Sequence, residues 1–334
     1  MQELRIAKPG IASAHVLFGT FVVACSLGAA VIGSTPLTAS IVTISLFAGV
    51  HNMMEFRYFV ARMPMRWGRS RLYYSVGIGG VIVLAAAYLT LYFASGNWLW
   101  SETGWAIYAA VWNTAFVLWI GLLVYLRGRQ RPKTDWAWAF PAALLVAAAV
   151  WIFPLYWSLA LVYLHPFIAM WFLERQIRRT RPEWLTAYHC CLATIPIFVF
   201  LLWLAFASQP NLSEDTNLFW RIAQHAGSQI LPGISSHFLV ATHVFLESIH
   251  YAVWIVLIPL IDRRAIPWKL SEIPMFANGG GFRRLVIASF AIAIAVVIAL
   301  WVGFAVDYTT TRDVYFAFAI GHVLAEFPFL IKML

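Results

Sequence analysis

Charged residues are scarce in this sequence, and their scarcity excludes most soluble folds. Asp, Glu, Lys and Arg make up 11% of the 334 residues, while hydrophobic residues make up 62%. A soluble domain carries roughly 25% charged and 45–50% apolar residues. The composition therefore predicts an all-α, polytopic membrane helix bundle, because helices satisfy their own backbone polar groups inside a bilayer.

Cysteine is scarce as well. The three cysteines are Cys25, Cys190 and Cys191, with no C-x-x-C spacing, so neither a disulfide framework nor a thiolate metal site is predicted. A cleavable signal peptide is also not indicated, since the apolar run after "MQELRIAKPG" is long enough to span and no small-residue cleavage site follows. Without a soluble domain or a strong internal repeat, residues 1–334 are predicted to form one integral membrane domain.

Ten apolar runs approach the length of about 20 residues that a spanning helix needs. The predicted spans are 10–33, 37–60, 72–95, 104–126, 136–154, 156–174, 184–207, 234–261, 285–306 and 314–333. The positive-inside rule then places both termini in the cytoplasm, because all 23 Lys and Arg except Arg221 and Arg312 fall on that side. We predict a multi-pass protein of the cytoplasmic membrane. Orientation and anionic lipids explain the net charge of +9, so nucleic acid is not predicted as a partner.

Three glutamates lie deep within predicted spans, and each follows a histidine by four positions. The pairs are His51 with Glu55, His243 with Glu247, and His322 with Glu326. Four residues make about one helical turn, so each pair shares a helix face. His250 extends the stripe of the eighth span, and His165 lies at comparable depth in the sixth. These side chains are predicted to converge on one buried centre.

Carboxylates in lipid must be protonated, paired with cations or bound to metal. We expect no Lys or Arg deep in a span, which leaves protonation or metal. Imidazole with carboxylate suits Fe, Mn or Zn, and helix bundles build di-iron sites from Glu and Glu-x-x-His, the spacing of "ESIH" at 247–250. We predict two irons, with zinc or manganese as alternatives. The residues predicted to orient the ligands are Asn52, Asn113, Thr242, Ser248 and Tyr251.

Buried iron facing lipid suits oxygen chemistry on an apolar substrate, because such a site excludes water from reactive species. The sequence therefore predicts a membrane-bound, metal-dependent oxidoreductase that hydroxylates, desaturates or oxidatively cleaves a lipid or isoprenoid. The predicted partners are membrane lipids, a hydrophobic small-molecule substrate and an acidic electron-donor protein at the basic cytoplasmic face. No catalytic residue is assigned beyond the metal ligands.

A limited resemblance to a known family points the same way. "HNMMEF" and "HVLAEF" are similar to the His-x-x-x-acid-Phe segments within spans of membrane carotene-cleaving oxygenases of the bacteriorhodopsin-related type. The resemblance covers only these two segments, and the "PHG" opening motif of that family is missing. The HxxxH and HxxHH boxes of membrane di-iron desaturases are missing too. The resemblance implies an analogy of chemistry.

Other interpretations of the same residues remain open. Buried His and Glu also serve proton- or metal-coupled transporters. Such proteins tend to have helices broken by Gly or Pro near the site, whereas the second and eighth spans are unbroken around their motifs. A haem-b carrier could use a pair of these histidines, but it gives the glutamates no role. A single buried His is commonly a packing residue, and Glu55 could pair with Arg62. We expect His225 and His237 to be solvated at the outer surface.

Overall fold

A computed structural model of the protein describes residues 11–64, 68–93, 101–131, 135–262, 269–277 and 280–334. These parts of the chain form helices and turns without β-strands, which confirms the all-α prediction. The helices are α1 (Ile11–Ser34), α2 (Pro36–Arg62), α3 (Arg71–Phe93), α4 (Glu102–Gly128), α5 (Ala139–Ile152), α6 (Pro154–Thr180), α7 (Leu185–Phe206), α8 (Asn217–His225), α9 (Ser236–Ala252), α10 (Ile258–Ile261), α11 (Pro274–Ala277), α12 (Gly280–Val306) and α13 (Tyr308–Met333).

Nine helical segments of the described chain are long and apolar enough to cross a membrane. They correspond to nine of the ten predicted spans, so the polytopic helix bundle is confirmed. The tenth, predicted at 136–154, is represented by α5, whose 14 residues extend over only about 21 Å. It ends before Pro154 because a residue that precedes proline avoids the helical conformation. The membrane identity and the sidedness of the termini stay predictions. Residues 1–10 and parts of the basic segments, at 65–67, 132–134 and 263–268, lie outside the described residues.

The chain separates into two compact units, with boundaries inside α2 and α6. Unit 1 comprises Met1–Ile44 and Ala169–Arg263, and unit 2 comprises Ser45–Ile168 and Arg264–Leu334. The prediction of one membrane domain over residues 1–334 stays a prediction. The two units are described separately below.

In unit 1, α1 packs against α7 and α9. A Cβ at Gly33 would lie 2.4 Å from Cε2 of Phe206, so glycine is needed where these helices meet. The ring of His237 stacks on Phe206 at 4.7 Å between centroids, and its Nε2 lies 2.6 Å from the Gly33 carbonyl oxygen. The ring of His237 therefore joins three helices, and because the residue is partly exposed the expectation that it is solvated holds only in part.

The eighth predicted span changes its hydrogen-bond pattern partway. After α9 the chain makes a π-helical turn, Val253–Leu257, before α10. Pro259 has no N–H to donate to Ile255, which favours a departure from the α-helical pattern here. Trp254 within the turn is fully buried and packs on Phe172 at 5.5 Å. The helix is thus unbroken through His250 but interrupted three residues later.

Unit 2 is built around a core shared by α3, α4 and α13. Its fully buried or nearly buried members are Tyr73, Tyr74, Leu84, Tyr108, Trp112, Phe116, Trp119, Leu123, Leu126, Leu324 and Ile331. The indole Nε1 of Trp119 donates to the Val76 carbonyl at 3.0 Å. A Cβ at Gly80 would lie 1.9 Å from that same Nε1, so only glycine permits this approach of α4 to α3.

Helix α13 is the central element of unit 2. It packs against α3, α4 and α12, and Tyr73 donates a hydrogen bond of 2.5 Å to the Pro328 carbonyl. The rings of Phe59 and Phe329 stack at 4.4 Å, which joins α2 to α13. These contacts hold the middle of α13 beside polar residues of α2 and α6.

Candidate metal centre

Three histidines, midway along α2, α6 and α13, lie side by side in unit 2. The ring centroids of His51 and His322 are 5.2 Å apart, and those of His165 and His322 are 5.4 Å apart. One ring nitrogen of His51 lies within 4.8 Å of one of His322. Two imidazole nitrogens bound to one ion at about 2.0–2.1 Å each lie roughly 3–3.5 Å apart, so the two rings would have to approach by at most about 2 Å. Small side-chain adjustments would therefore allow both rings to bind the same ion.

Two carboxyl groups complete this cluster. Glu326 is fully buried, and its Oε2 lies 3.2 Å from Nδ1 of His165. Glu55 is 1% exposed and close enough to Glu326 for the two groups to interact electrostatically. Within the described part of the chain, neither carboxyl oxygen of Glu55 has a hydrogen-bond partner. Two such neighbours cannot both be ionised in apolar surroundings without a compensating cation.

The orientation of His51 favours metal binding. Its Nδ1 lies 3.3 Å from the carbonyl oxygen of Phe47, one turn earlier in α2. If Nδ1–H donates to this carbonyl, Nε2 carries the lone pair that a metal requires. Metal-ligating histidines are commonly fixed in this way by a backbone carbonyl.

Neither nearby arginine neutralises Glu55. The guanidinium of Arg62 lies 3.4 Å from the ring centroid of Tyr58 and donates to the Tyr58 carbonyl. Arg57 is fully buried but lies in the last two turns of α2, so it does not contradict the expectation that no Lys or Arg lies deep in a span. Its Nη2 donates to the Lys269 carbonyl at 3.0 Å. Near the end of α2, Ala61 also packs in one buried cluster with Ile273. The proposed pairing of Glu55 with Arg62 is therefore not formed.

In unit 1, α9 carries the second group of predicted ligands. Nδ1 of His243 lies 3.7 Å from Oε2 of Glu247, which confirms that residues four apart share a helix face. The hydroxyl of Tyr251 donates to Oε1 of Glu247, and His250 is 1% exposed. The sharing of these residues with the ligands of the second and tenth spans stays a prediction.

His225 is a member of the unit 1 group that the sequence does not predict. Its ring centroid lies 5.0 Å from that of His243 in an edge-to-face arrangement, and the residue is partly exposed, so the expectation that it is solvated holds only in part. It ends α8, which Thr216 caps and which buries Ile222 and Ala223. Apolar residues three and four apart in this stretch indicate an amphipathic helix. The pattern does not reveal which helix the buried face contacts.

The residues predicted to orient the ligands have different surroundings. Tyr251 contacts Glu247 as described, whereas the Asn113 amide donates to the Ser158 hydroxyl at 3.0 Å. Ser248 donates to the Val244 carbonyl of its own helix at 2.8 Å. In the remaining two residues, Asn52 and Thr242, the side-chain oxygen is buried and has no hydrogen-bond partner among the described residues.

No family model, curated protein or solved structure matches this chain. The chemistry must therefore be argued from its own residues. These form a membrane-type helical protein that contains candidate metal-binding groups of His and Glu.

Proposed function

We propose that this protein is an integral membrane metalloenzyme in which iron, bound by buried His and Glu, oxidises an apolar lipid or isoprenoid. The observation that carries the proposal is the convergence in unit 2 of three imidazoles and two carboxyls. The residues are His51, His165, His322, Glu55 and Glu326. This set includes the two-His-one-carboxylate combination that suits non-haem iron, with zinc or manganese as alternatives.

Two irons follow from the number of ligands. The cluster of unit 2 supplies five side chains, and His243, Glu247 and His250 on α9 are proposed to serve the second ion. Helical bundles that hold two irons use a comparable number of Glu and His ligands projecting from several helices. The iron binding also explains how buried carboxylates are stabilised, because bound cations compensate their charge.

An apolar cavity supports the proposed substrate class. It has a volume of about 460 Å³ and lies between α2, α11 and α12, with Phe56, Val60, Met275 and Val286 among the apolar side chains that line it. Phe56 directly follows Glu55 in the chain. Small-molecule sites typically have volumes of roughly 300–1,000 Å³ and mostly apolar walls. A hydrocarbon chain that enters from the bilayer is proposed to lie in this cavity, whose wall begins one residue after Glu55 on α2.

The proposed reaction is an oxygen-dependent oxidation. When bound, iron supplies the activation of O₂. For hydroxylation, the substrate C–H bond, O₂, two electrons and two protons yield the C–OH product and water. The electrons come from a donor protein with an acidic surface, which is proposed to dock on the basic cytoplasmic face. The buried ligand cluster keeps bulk water from the reacting carbon.

Metal analysis of the detergent-purified protein tests this proposal. After anaerobic loading with ferrous iron, we expect about two irons per chain by mass spectrometry, as in di-iron bundles. Glu247→Ala should lose at least one of them, whereas Glu272→Ala, which changes an exposed carboxylate, should lose none. If the protein retains no transition metal after loading, the metalloenzyme proposal is wrong, and a proton-coupled transporter with protonated glutamates is favoured. A Soret absorption band would instead indicate haem.

Filling the apolar cavity should weaken substrate binding without removing iron. Ser289 lines the cavity, whereas its neighbour Ala288 is exposed. We expect Ser289→Trp to bind a polyene fatty-acid probe roughly tenfold more weakly, because loss of two buried methylenes costs about 1.6 kcal/mol. Ala288→Trp is the matched control. Fluorescence titration measures both, and equal affinities for the two variants would argue against this cavity as the substrate site.

A further inference from the structure

Unit 2 contains a second cavity, of about 470 Å³, where basic side chains gather at the ends of α3, α4 and α13. Lys332, one of its members, follows His322 by ten residues on α13, a distance of about 15 Å along the axis. No Asp or Glu is among the described residues that line the cavity. The lining residues are Arg69, Ser70, Arg127, Arg129, Gln130, Arg131 and Lys332.

The ammonium group of Lys332 is fixed in this cavity by neutral partners. Its Nζ donates to the Ser70 hydroxyl at 2.8 Å and to Oε1 of Gln130 at 2.6 Å. The same Nζ lies 5.3 Å from the ring centroid of Tyr73 and 5.6 Å from that of Tyr74. These contacts hold the ammonium in place, and within the described parts of the chain no carboxylate forms an ion pair with it.

Arg127 has an incomplete set of partners. Its Nε is buried and has no hydrogen-bond partner among the described residues. Arg131 and Lys332 are both close enough to interact with it electrostatically. Like charges at such separations repel, and the carbonyl ends of α4 and α13 offset this repulsion only in part. A bound anion would offset the rest and supply an acceptor for the arginine.

We propose that this cavity binds the phosphate group of an anionic phospholipid. The ends of membrane-spanning helices lie at the level of the lipid phosphates, and basic pockets between such helices bind headgroups. Guanidinium groups match phosphate oxygens in a bidentate geometry. The concave shape suits one headgroup, whereas a docked protein needs about 800 Å² of surface on each partner. The site is independent of the proposed enzyme activity.

Lipid binding by the full-length protein tests the site. We would titrate the delipidated protein in detergent with phosphatidylglycerol or phosphatidylcholine and count bound lipids by native mass spectrometry. The wild type should prefer phosphatidylglycerol. The double variant Arg127→Gln/Lys332→Gln should bind it roughly thirtyfold more weakly, given the usual contribution of each basic residue. The control, Arg179→Gln/Arg284→Gln, removes two charges from exposed residues and should change the affinity less than about twofold.

Further arms separate the remaining outcomes. Binding of inorganic phosphate, lost in Arg127→Gln/Lys332→Gln but without a lipid preference, would support the same site with free phosphate as its ligand. Equal binding of both lipids, or equal losses in the two double variants, would overturn the proposal in favour of general surface charge. The proposal would also be overturned if Arg127→Gln/Lys332→Gln bound lipid normally but bound an acidic protein more weakly than the wild type does. If the double variant misfolds, the charge-conserving Lys332→Arg should retain the preference for phosphatidylglycerol.

Discussion

Glu55→Gln should lower the affinity of the protein for iron by about 10–100-fold or more, because even the loss of a residue that only orients a metal ligand typically costs that much. The carboxyl of Glu55 is 1% exposed and has no hydrogen bond within the described chain. An amide of the same shape removes the negative charge that a cation would compensate. Competition with a chelator, followed by metal analysis, measures the change.

The glutamine substitution also separates the two main interpretations of the cluster. A neutral amide resembles a protonated carboxyl, so a transporter that carries a proton on Glu55 should tolerate the change with normal folding and normal metal content. Glu272→Gln, at an exposed position, is the matched control and should behave as wild type. Wild-type iron affinity in Glu55→Gln would rule out Glu55 as a ligand.

Gly80→Ala should destabilise the folded protein, whereas Gly79→Ala should not. A Cβ at Gly80 would lie 1.9 Å from Nε1 of Trp119, while one at Gly79 meets nothing within 4 Å. Overpacking costs about 1–3 kcal/mol, and displacement of the indole would also weaken its hydrogen bond to Val76, worth about 1 kcal/mol. Alanine at position 79 should be neutral or stabilise by up to about 1 kcal/mol. Thermal unfolding in detergent measures both.

A second substitution identifies the cause of the expected effect. In the Gly80→Ala background, Trp119→Phe shortens the side chain that the new methyl group meets. The double variant should therefore be more stable than the sum of the two single changes predicts, as contacting residues are not additive. Equal melting temperatures for Gly79→Ala and Gly80→Ala would show that α3 and α4 are not packed through this glycine.

Span positions and the polar pairs could be predicted because both depend on local geometry. The span predicted at 285–306 matches Gly280–Val306, since length and hydropathy alone identify a helix that crosses a membrane. Likewise, the helical repeat places His243 and Glu247 on one face, as observed. The short α5 shows the limit of such predictions. The sequence stays apolar beyond Ile152, but the helix ends there because Pro154 follows.

Contacts between helices could not be predicted in the same way. The approach of His165 to Glu326 depends on how α6 packs against α13, and matching depth in the sequence does not specify it. Trp112 and Trp119 are buried in the core of unit 2, although aromatic residues of membrane proteins are expected at the interfaces. The direction in which a helix faces depends on small residues such as Gly80 and on the shape of the neighbouring helix.

The placement of His322, Glu326 and Lys332 on one helix would link the proposed binding of iron to the proposed binding of phospholipid. Glu326 and Lys332 are six residues apart, about 9 Å along α13, and Tyr73 fixes the Pro328 carbonyl between them. Iron bound near Glu326 and phospholipid bound at Lys332 would therefore both restrain α13. Thermodynamic reciprocity requires that if bound phospholipid raises the affinity for iron by some factor, bound iron raises the affinity for phospholipid by the same factor. The phospholipid content of the preparation is thus a variable to hold constant whenever iron affinities are compared.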